Sequence, residues 1–231
     1  MNIEINEKNF PDENFRKFIS AKFDKFGNGY LTKNFIDKIT VLECTGKEIK
    51  SLQGIEYFTN LTDLNCNVNK LKELDISKNT KLTELHFRFN NLLRIDISNN
   101  KELKILDCSN NRLVSLDTSR NTKLTDLSCY SHNLESLDLS QNTSLEKLFC
   151  SNNFLKELDV MCNNNLEELD VSDNFLTKLD VSINPELSYL DCSCNQLIEL
   201  DIRNNPALKD MRCDCELTQV DREYEDYEMD I

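Results

Sequence analysis

Glycine, tryptophan and histidine are scarce in this chain of 231 residues, which has four Gly, no Trp and two His. No Gly occurs after Gly54, so most of the chain cannot form a glycine-rich loop that cradles phosphate groups. Two histidines offer little material for acid–base catalysis, and no Ser or Cys nucleophile is placed beside His86. The sequence therefore predicts no cofactor and no catalytic residue.

Basic residues are also in deficit. There are 27 Lys and Arg against 41 Asp and Glu, which is a formal net charge of −14. Nucleic acids and anionic membranes bind basic surfaces, so neither is an expected partner. No apolar run approaches the ~20 residues of a membrane span, and the start of the chain has no signal-peptide pattern. These features favour a cytoplasmic chain without membrane insertion.

Leucine, by contrast, is abundant and periodic. With each leading leucine counted as position 0, position 3 is Leu or Met, position 5 is usually Cys, position 8 is usually Asn and position 10 is Leu in seven units. A fixed period of about 20–30 residues with this pattern is typical of stacked leucine-rich repeats. The leading leucines recur every 21 residues: Leu61, Leu82, Leu103, Leu124, Leu145, Leu166, Leu187 and Leu208.

The repeat predicts a right-handed solenoid of about nine units, of the α/β class by convention but mostly strand and turn. Positions 3 and 5 are expected to point inward from short strands that form a parallel sheet on the concave face. The Asn of position 8 is expected to bridge backbone groups where the chain leaves the sheet. On the outer side, position 14 is always Asp and position 18 always Asn. This Asp column could bind cations, but Asx turns are the favoured interpretation.

The chain divides into a helical N-terminal cap over residues 1–38, the repeats over 39–220, and an acidic tail or minimal cap over 221–231. A solenoid exposes hydrophobic ends unless they are covered, and the first 38 residues are rich in Phe. A helix is expected to begin within Asn9 to Asp12, with Pro11 in its first turn. Its apolar stripe is expected to be Phe15, Phe18, Ile19, Phe23 and Phe26.

The cap also contains a segment similar to an EF-hand loop. Asp24, Asn28 and Thr32 occupy loop positions 1, 5 and 9, whereas Phe26 and Phe35 occupy positions 3 and 12, where calcium needs oxygen ligands. The prediction is a degenerate loop that binds no metal.

Most of the ten cysteines fall in one column of the repeat. Cys108, Cys129 and Cys150 should lie in adjacent strands, farther apart than a disulfide allows, and Phe87 replaces Cys in the same column. Packed free thiols are therefore predicted. Cys129 with His132 is the nearest approach to a catalytic dyad, but the Cys is expected to be buried and the His to replace a structural Asn.

Two Cys-x-Cys pairs, Cys192 with Cys194 and Cys213 with Cys215, lie in neighbouring repeats. Free thiols are favoured here too. A Cys194–Cys215 disulfide and a metal site are the alternatives.

With these features the chain resembles bacterial leucine-rich repeat proteins of the internalin-like kind. The likeness is to the group with 21-residue repeats, a Cys in the second inward strand position and L-D-x-S-x-N on the outer side. Residues 9–16 and 54–61 match that group's cap and first repeat, and the resemblance extends from residue 9 to about 220. It implies a non-enzymatic binding protein that is secreted or attached to the cell surface.

The variable positions 2, 4, 6 and 7 should face the concave side, where ten acidic and three basic residues are interrupted by aromatic ones. Aromatic residues ringed by charge are typical of protein-binding hot spots, and the acidity favours a basic protein partner. Phe154 and Phe175, at position 9, are expected to stack along the rim beside Phe149. The expected partner-binding residues are Asp63, Glu84, His86, Phe89, Asp107, Asp126, Tyr130, Phe149, Phe154, Asp170, Phe175, Tyr189, Asp191 and Arg212.

Several alternatives to this function stay open. The acidic face could be merely solvated, or the ligand could be a glycan. An intracellular scaffold or inhibitor is the second interpretation, and an enzyme is the least favoured. A monomer is expected.

Overall fold

The computed structural model describes residues 2–218, which form a short cap followed by a solenoid. The cap consists of β1 (Asn2–Glu4), α1 (Glu13–Phe23), β2 (Tyr30–Thr32) and the one-turn helix α2 (Lys33–Ile36). The two strands pair antiparallel. The tail predicted over 221–231 lies outside the described residues.

Helix α1 begins where Asp12 supplies an acceptor to its first turn. One carboxylate oxygen of Asp12 accepts the backbone N–H of Phe15 at 2.8 Å, as an N-cap residue does. The other accepts the backbone N–H of Lys50 at 2.8 Å. The same side chain therefore caps the helix and fastens the cap to the first repeat.

The predicted apolar stripe of α1 is confirmed except at its end. Phe15 and Ile19 are buried, and Phe18 and Phe23 pack against the core. Phe26 was predicted wrongly, because the helix ends at Phe23 and the Phe26 side chain is 91% exposed.

Nine three-residue strands form one parallel sheet, so the predicted solenoid is confirmed. Equal repeat positions pair, and Leu64 lies opposite Leu85, which lies opposite Leu106. The central residue is buried in every strand but the last, where Met211 is half-buried, which gives the solenoid a leucine-lined core. The strands are β3 (Val41–Glu43), β4 (Asp63–Asn65), β5 (Glu84–His86), β6 (Ile105–Asp107), β7 (Asp126–Ser128), β8 (Lys147–Phe149), β9 (Glu168–Asp170), β10 (Tyr189–Asp191) and β12 (Asp210–Arg212).

The Asn of position 8 bridges backbone groups, as predicted. Asn153 donates from Nδ2 to the carbonyls of Cys129 and Cys150, both at 3.0 Å, and its Oδ1 accepts the N–H of Leu134 at 3.1 Å. The same three bonds recur at Asn90, Asn111, Asn174 and Asn195. This side-chain ladder satisfies backbone carbonyl and N–H groups where the chain turns away from the sheet.

The outer polar columns also hold the backbone. Each Asp of position 14 accepts the backbone N–H two residues later at 2.8–3.0 Å, so the predicted Asx turns are confirmed. Hydrogen bonds from the Ser98 hydroxyl and N–H lower the pKa of Asp96. The Asn of position 18 is buried, and Asn121 donates to the carbonyls of Ile97 and Asn100 at 3.1 and 2.9 Å.

The last described unit departs from the 21-residue period, because its outer strand follows its sheet strand too closely. β11 (Glu199–Asp201) on the outer side pairs in parallel with β13 (Glu216–Thr218), and Leu217 lies opposite Leu200. Leu200 follows Leu190 by ten residues, whereas Leu217 follows Met211 by only six. The chain therefore crosses to the outer side early and forms a second, two-stranded sheet there.

Candidate binding face

The outward-facing side of the nine-stranded sheet, formed by the first and third residue of each strand, is called the sheet face below. It contains ten of the predicted partner-binding residues, and most are half-buried. The other four follow their strands at the edge and are called the aromatic rim. The sheet face holds Asp63, Glu84, His86, Asp107, Asp126, Phe149, Asp170, Tyr189, Asp191 and Arg212; the rim holds Phe89, Tyr130, Phe154 and Phe175.

Several carboxylates of the sheet face stabilise the local backbone through hydrogen bonds. Asp107, Asp170 and Asp191 each accept the backbone N–H two residues later, at 3.0–3.1 Å, where the strand turns away. Asp191 is only 6% exposed and lies 3.7 Å from the Arg212 guanidinium. Asp191 therefore serves the fold first and offers little surface to a ligand.

Two further acidic residues are paired by neighbours. Glu168 forms an ion pair with Lys147 at 2.5 Å, and this bond raises the pKa of the lysine. Asp126 accepts the Thr125 hydroxyl at 2.7 Å. From β6 to β10, each sheet-face carboxylate thus has a protein partner.

A separate group on the sheet face consists of Asp63, Glu84 and His86. Asp63 lies directly opposite Glu84 on the neighbouring strand, and His86 follows Glu84 on the same face. One ligand atom from each lies within 4.8 Å of the others. Partial burial and then the charge of Glu84 raise the pKa of Asp63. At this end of the sheet face, two carboxylates therefore face each other with the imidazole of His86 beside them.

The aromatic rim has one ring stack and one cation–π group. Phe154 and Phe175 stack with ring centroids 6.0 Å apart and an interplanar angle of 13°, as the repeat predicted. The Arg88 guanidinium lies 4.8 Å from the ring centre of Phe89 and 5.9 Å from that of Tyr130. Arg88 was missing from the predicted site, although its place beside Phe89 in the sequence was a usable signal.

The edge of the sheet also holds an unpredicted backbone feature. Position 7 is left-handed in seven successive units, with φ between 52° and 58°. Asn and Asp tolerate this region, but Val68 and Phe89 do so poorly. Both are about half exposed. Two apolar side chains are thus displayed where Asn would fit the backbone better.

In the EF-hand-like loop, the residues at the ligand positions bond to the protein itself. The two carboxylate oxygens of Asp24 accept the N–H groups of Asn28 and Gly29, both at 2.8 Å. The Thr32 hydroxyl accepts the N–H of Phe35 and caps α2. The loop is therefore held by internal hydrogen bonds at the positions where a calcium loop would hold its ion.

The cysteine column is a ladder of buried free thiols, as predicted. Six of these thiols are buried, while Cys162 and Cys194 are free and exposed. Burial raises the pKa of Cys44 and Cys129 to about 12. Because the thiolate is the reactive form, the ladder is chemically inert at neutral pH.

The second pair of Cys-x-Cys residues does not follow the favoured prediction of free thiols. Cys213 and Cys215 form a disulfide with each other, so the alternative Cys194–Cys215 bridge is also wrong. The reason is the early crossing to the outer side, which folds Cys215 back towards Cys213. The Cys192 sulfur lies within 4.8 Å of both, so three sulfurs meet here.

His132 occupies the Asn column, as predicted, but fits it incompletely. Its Nδ1 accepts the N–H of Leu113 at 3.4 Å, and its buried Nε2 has no hydrogen-bond partner among residues 2–218. Burial outweighs the nearby carbonyls of Cys108 and Asn111 and lowers the pKa of His132 to about 4. The histidine is a neutral structural residue, which disfavours the Cys129–His132 dyad.

The fold, the two Asn columns and the Cys column define a leucine-rich repeat solenoid, and comparison with known proteins narrows this class. No protein-family model matches the sequence. Internalin J of Listeria monocytogenes serotype 4b (strain F2365) is 36% identical over 71 residues, which is 31% of this chain and 8% of that protein.

Solved structures agree with the sequence match. The functional domain of InlJ from Listeria monocytogenes, described as including a cysteine ladder, superposes with a TM-score of 0.60 at 30% identity. The match covers 96% of this chain and 59% of that one. Internalin C2 from Listeria monocytogenes strain 4b F2365 shares the fold, with a TM-score of 0.81, 22% identity and coverage of 94% and 97%.

This chain is a leucine-rich repeat solenoid with 21-residue units and a cysteine ladder, and it is similar in sequence and in fold to internalins. Proteins of this kind generally mediate protein interactions. Within residues 2–218, no helix has the length and apolar character needed to cross a membrane.

Proposed function

We propose that this chain is a non-enzymatic binding module that recognises a protein with a basic surface through the sheet face and the aromatic rim. The observation that carries this proposal is the stack of Phe154 on Phe175. Both rings are more than 40% exposed although they contact each other. Because exposed apolar area is costly, such a stack beside a charged face is a typical anchor for a partner.

Charge and apolar burial would contribute in different ways. Covering a phenylalanine completely contributes about 1.5–3 kcal/mol relative to leaving it exposed, so these half-exposed rings supply about 1 kcal/mol each. Most acidic groups at the middle of the sheet face already have protein partners, and their field acts at longer range. That field speeds the approach of a basic partner and is screened by salt.

The experiment is quantitative capture of a partner identified by cross-linking and mass spectrometry. Replacing the two stacked phenylalanines of the rim, Phe154→Ala with Phe175→Ala, should weaken binding at least tenfold. Tyr130→Ala with Phe149→Ala is expected to weaken it similarly. Phe26→Ala is the control, because it removes an exposed ring from the cap, away from the sheet face and the aromatic rim.

Two results would contradict the proposal. One is binding that survives both double variants but fails in the Phe26→Ala control, which would move the site to the cap. The other is an affinity that does not depend on ionic strength, which would exclude an electrostatic contribution to binding. If the bound partner is a glycan rather than a protein, the class of partner changes and the proposed binding face is retained.

A further inference from the structure

We propose that Asp63, Glu84 and His86 form a binding site for a divalent metal ion of the zinc type on the sheet face. The register of the sheet creates the arrangement. β4 and β5 pair in parallel, so Asp63 stands opposite Glu84, and two residues later His86 emerges on the same side of β5. Two carboxylate oxygens and one imidazole nitrogen therefore converge from three neighbouring sheet positions.

The distances suit direct coordination. The three ligand atoms all lie within 4.8 Å of one another. The centre of a triangle with such sides is at most about 2.8 Å from each corner, and Zn–N and Zn–O bonds of about 2.0–2.2 Å are reached by small side-chain rotations. The distance between His86 Nε2 and Glu84 Oε2 is 3.8 Å.

The second observation concerns the two carboxylates, of which Glu84 has the 3.8 Å contact with His86, a distance too long for a hydrogen bond. Among residues 2–218, neither the Asp63 nor the Glu84 carboxylate accepts a hydrogen bond, whereas Asp107, Asp126 and Glu168 each have one. Like charges that face each other on a sheet are unfavourable. A cation at this point would replace that repulsion with coordination.

The surroundings of the site favour the ion as well. Asp107 lies opposite His86 in the register of β5 and β6, where a carboxylate can orient a metal-bound imidazole from behind. The charge of Glu43 also acts on Asp63.

The ligand set indicates the kind of ion. A nitrogen with two carboxylates suits Zn²⁺, Co²⁺ or Ni²⁺, while Ca²⁺ prefers six to eight oxygens. Three protein ligands leave a coordination position open towards solvent, as in zinc sites that bind a further group. The site is thus suited to hold an ion and present it outward.

The test is titration of the purified chain, kept free of reductant, with Zn²⁺ by calorimetry and with Co²⁺ by visible absorption. Wild type should bind one Zn²⁺ by these ligands, and His86→Gln and Glu84→Gln should each weaken that binding at least tenfold. Asp126→Asn is the matched control, since it removes a carboxylate at the same repeat position as Glu84 and should leave the affinity unchanged.

Two controls separate this site from the cysteines. Co²⁺ bound by thiolates gives a strong near-ultraviolet charge-transfer band, which the proposed nitrogen–oxygen site lacks, and alkylation of Cys162 and Cys194 should not reduce binding. Circular dichroism verifies that every variant is folded. Binding that persists in Asp63→Asn with Glu84→Gln and His86→Gln, or that disappears on alkylation, would overturn the proposal. So would the absence of any saturable binding by wild type.

Discussion

Replacing His132 by Asn should stabilise the solenoid and remove much of its sensitivity to mild acid. His132 interrupts a column in which Asn donates two or more hydrogen bonds from Nδ2 and accepts one at Oδ1. Among residues 2–218, the histidine side chain has a single hydrogen bond of ordinary geometry, the 3.4 Å one that it accepts from the N–H of Leu113. An Asn at this position has the same backbone acceptors available as Asn153 in the next unit.

The stabilisation expected from His132→Asn has two parts. At pH 7, two recovered hydrogen bonds are worth about 1 kcal/mol each, less the lost packing of the imidazole, so about 1–2 kcal/mol is expected. Acid adds a second part, because the pKa of His132 falls from 6.5 to about 4 on folding. As the pH decreases from 6.5 to 4, the unfolded chain binds a proton that the folded chain rejects. The wild type therefore loses up to about 3 kcal/mol over this range, and the variant does not.

The assay is urea unfolding followed by circular dichroism at a series of pH values between 4 and 8. The difference in the free energy of unfolding between His132→Asn and wild type should grow as the pH falls from 6.5. His86→Gln is the control, since it alters the other histidine of the chain, which lies on the sheet face. A difference that stays constant with pH would refute the assignment of His132 as a buried neutral residue.

Three further outcomes are expected. Val68→Asn should stabilise the fold by about 1 kcal/mol, because Asn tolerates the left-handed φ of 55°. Val114→Asn is the control at a similarly exposed position without positive φ and should not stabilise the fold. Equal effects of the two substitutions in thermal unfolding would exclude backbone strain as the cause. Asn121→Ala should lower the free energy of unfolding by about 2–4 kcal/mol, because two buried hydrogen bonds are lost. The control Asn99→Ala, at an exposed position, should change it little. A small effect of Asn121→Ala would disprove the stabilising role of the position-18 asparagines. Thiol titration without reductant should find two fast-reacting cysteines in the native chain and eight after unfolding, whereas ten after unfolding would exclude the disulfide.

Periodicity alone was sufficient for most of the fold. Each repeat contacts only its neighbours, so a residue's position within the 21-residue unit decides its surroundings. This is why burial of Cys129, the turn made by Asp96 and the stack of Phe154 on Phe175 could be predicted by counting. The same reasoning failed for Phe26, which lies in the aperiodic cap, and for Cys215, which lies where the chain abandons the period.

In a strict repeat, the position of a residue within the unit decides its environment, so the amino-acid pattern predicted the solenoid, its core and the residues of the sheet face. The interactions among those face residues come from the folded structure. It ties Asp107 and Asp191 into turns, while Asp63 and Glu84 lie opposite each other and accept no hydrogen bond from residues 2–218. Such differences depend on distances between side chains of separate repeats, and these follow from sheet register and rotamers rather than from spacing along the chain.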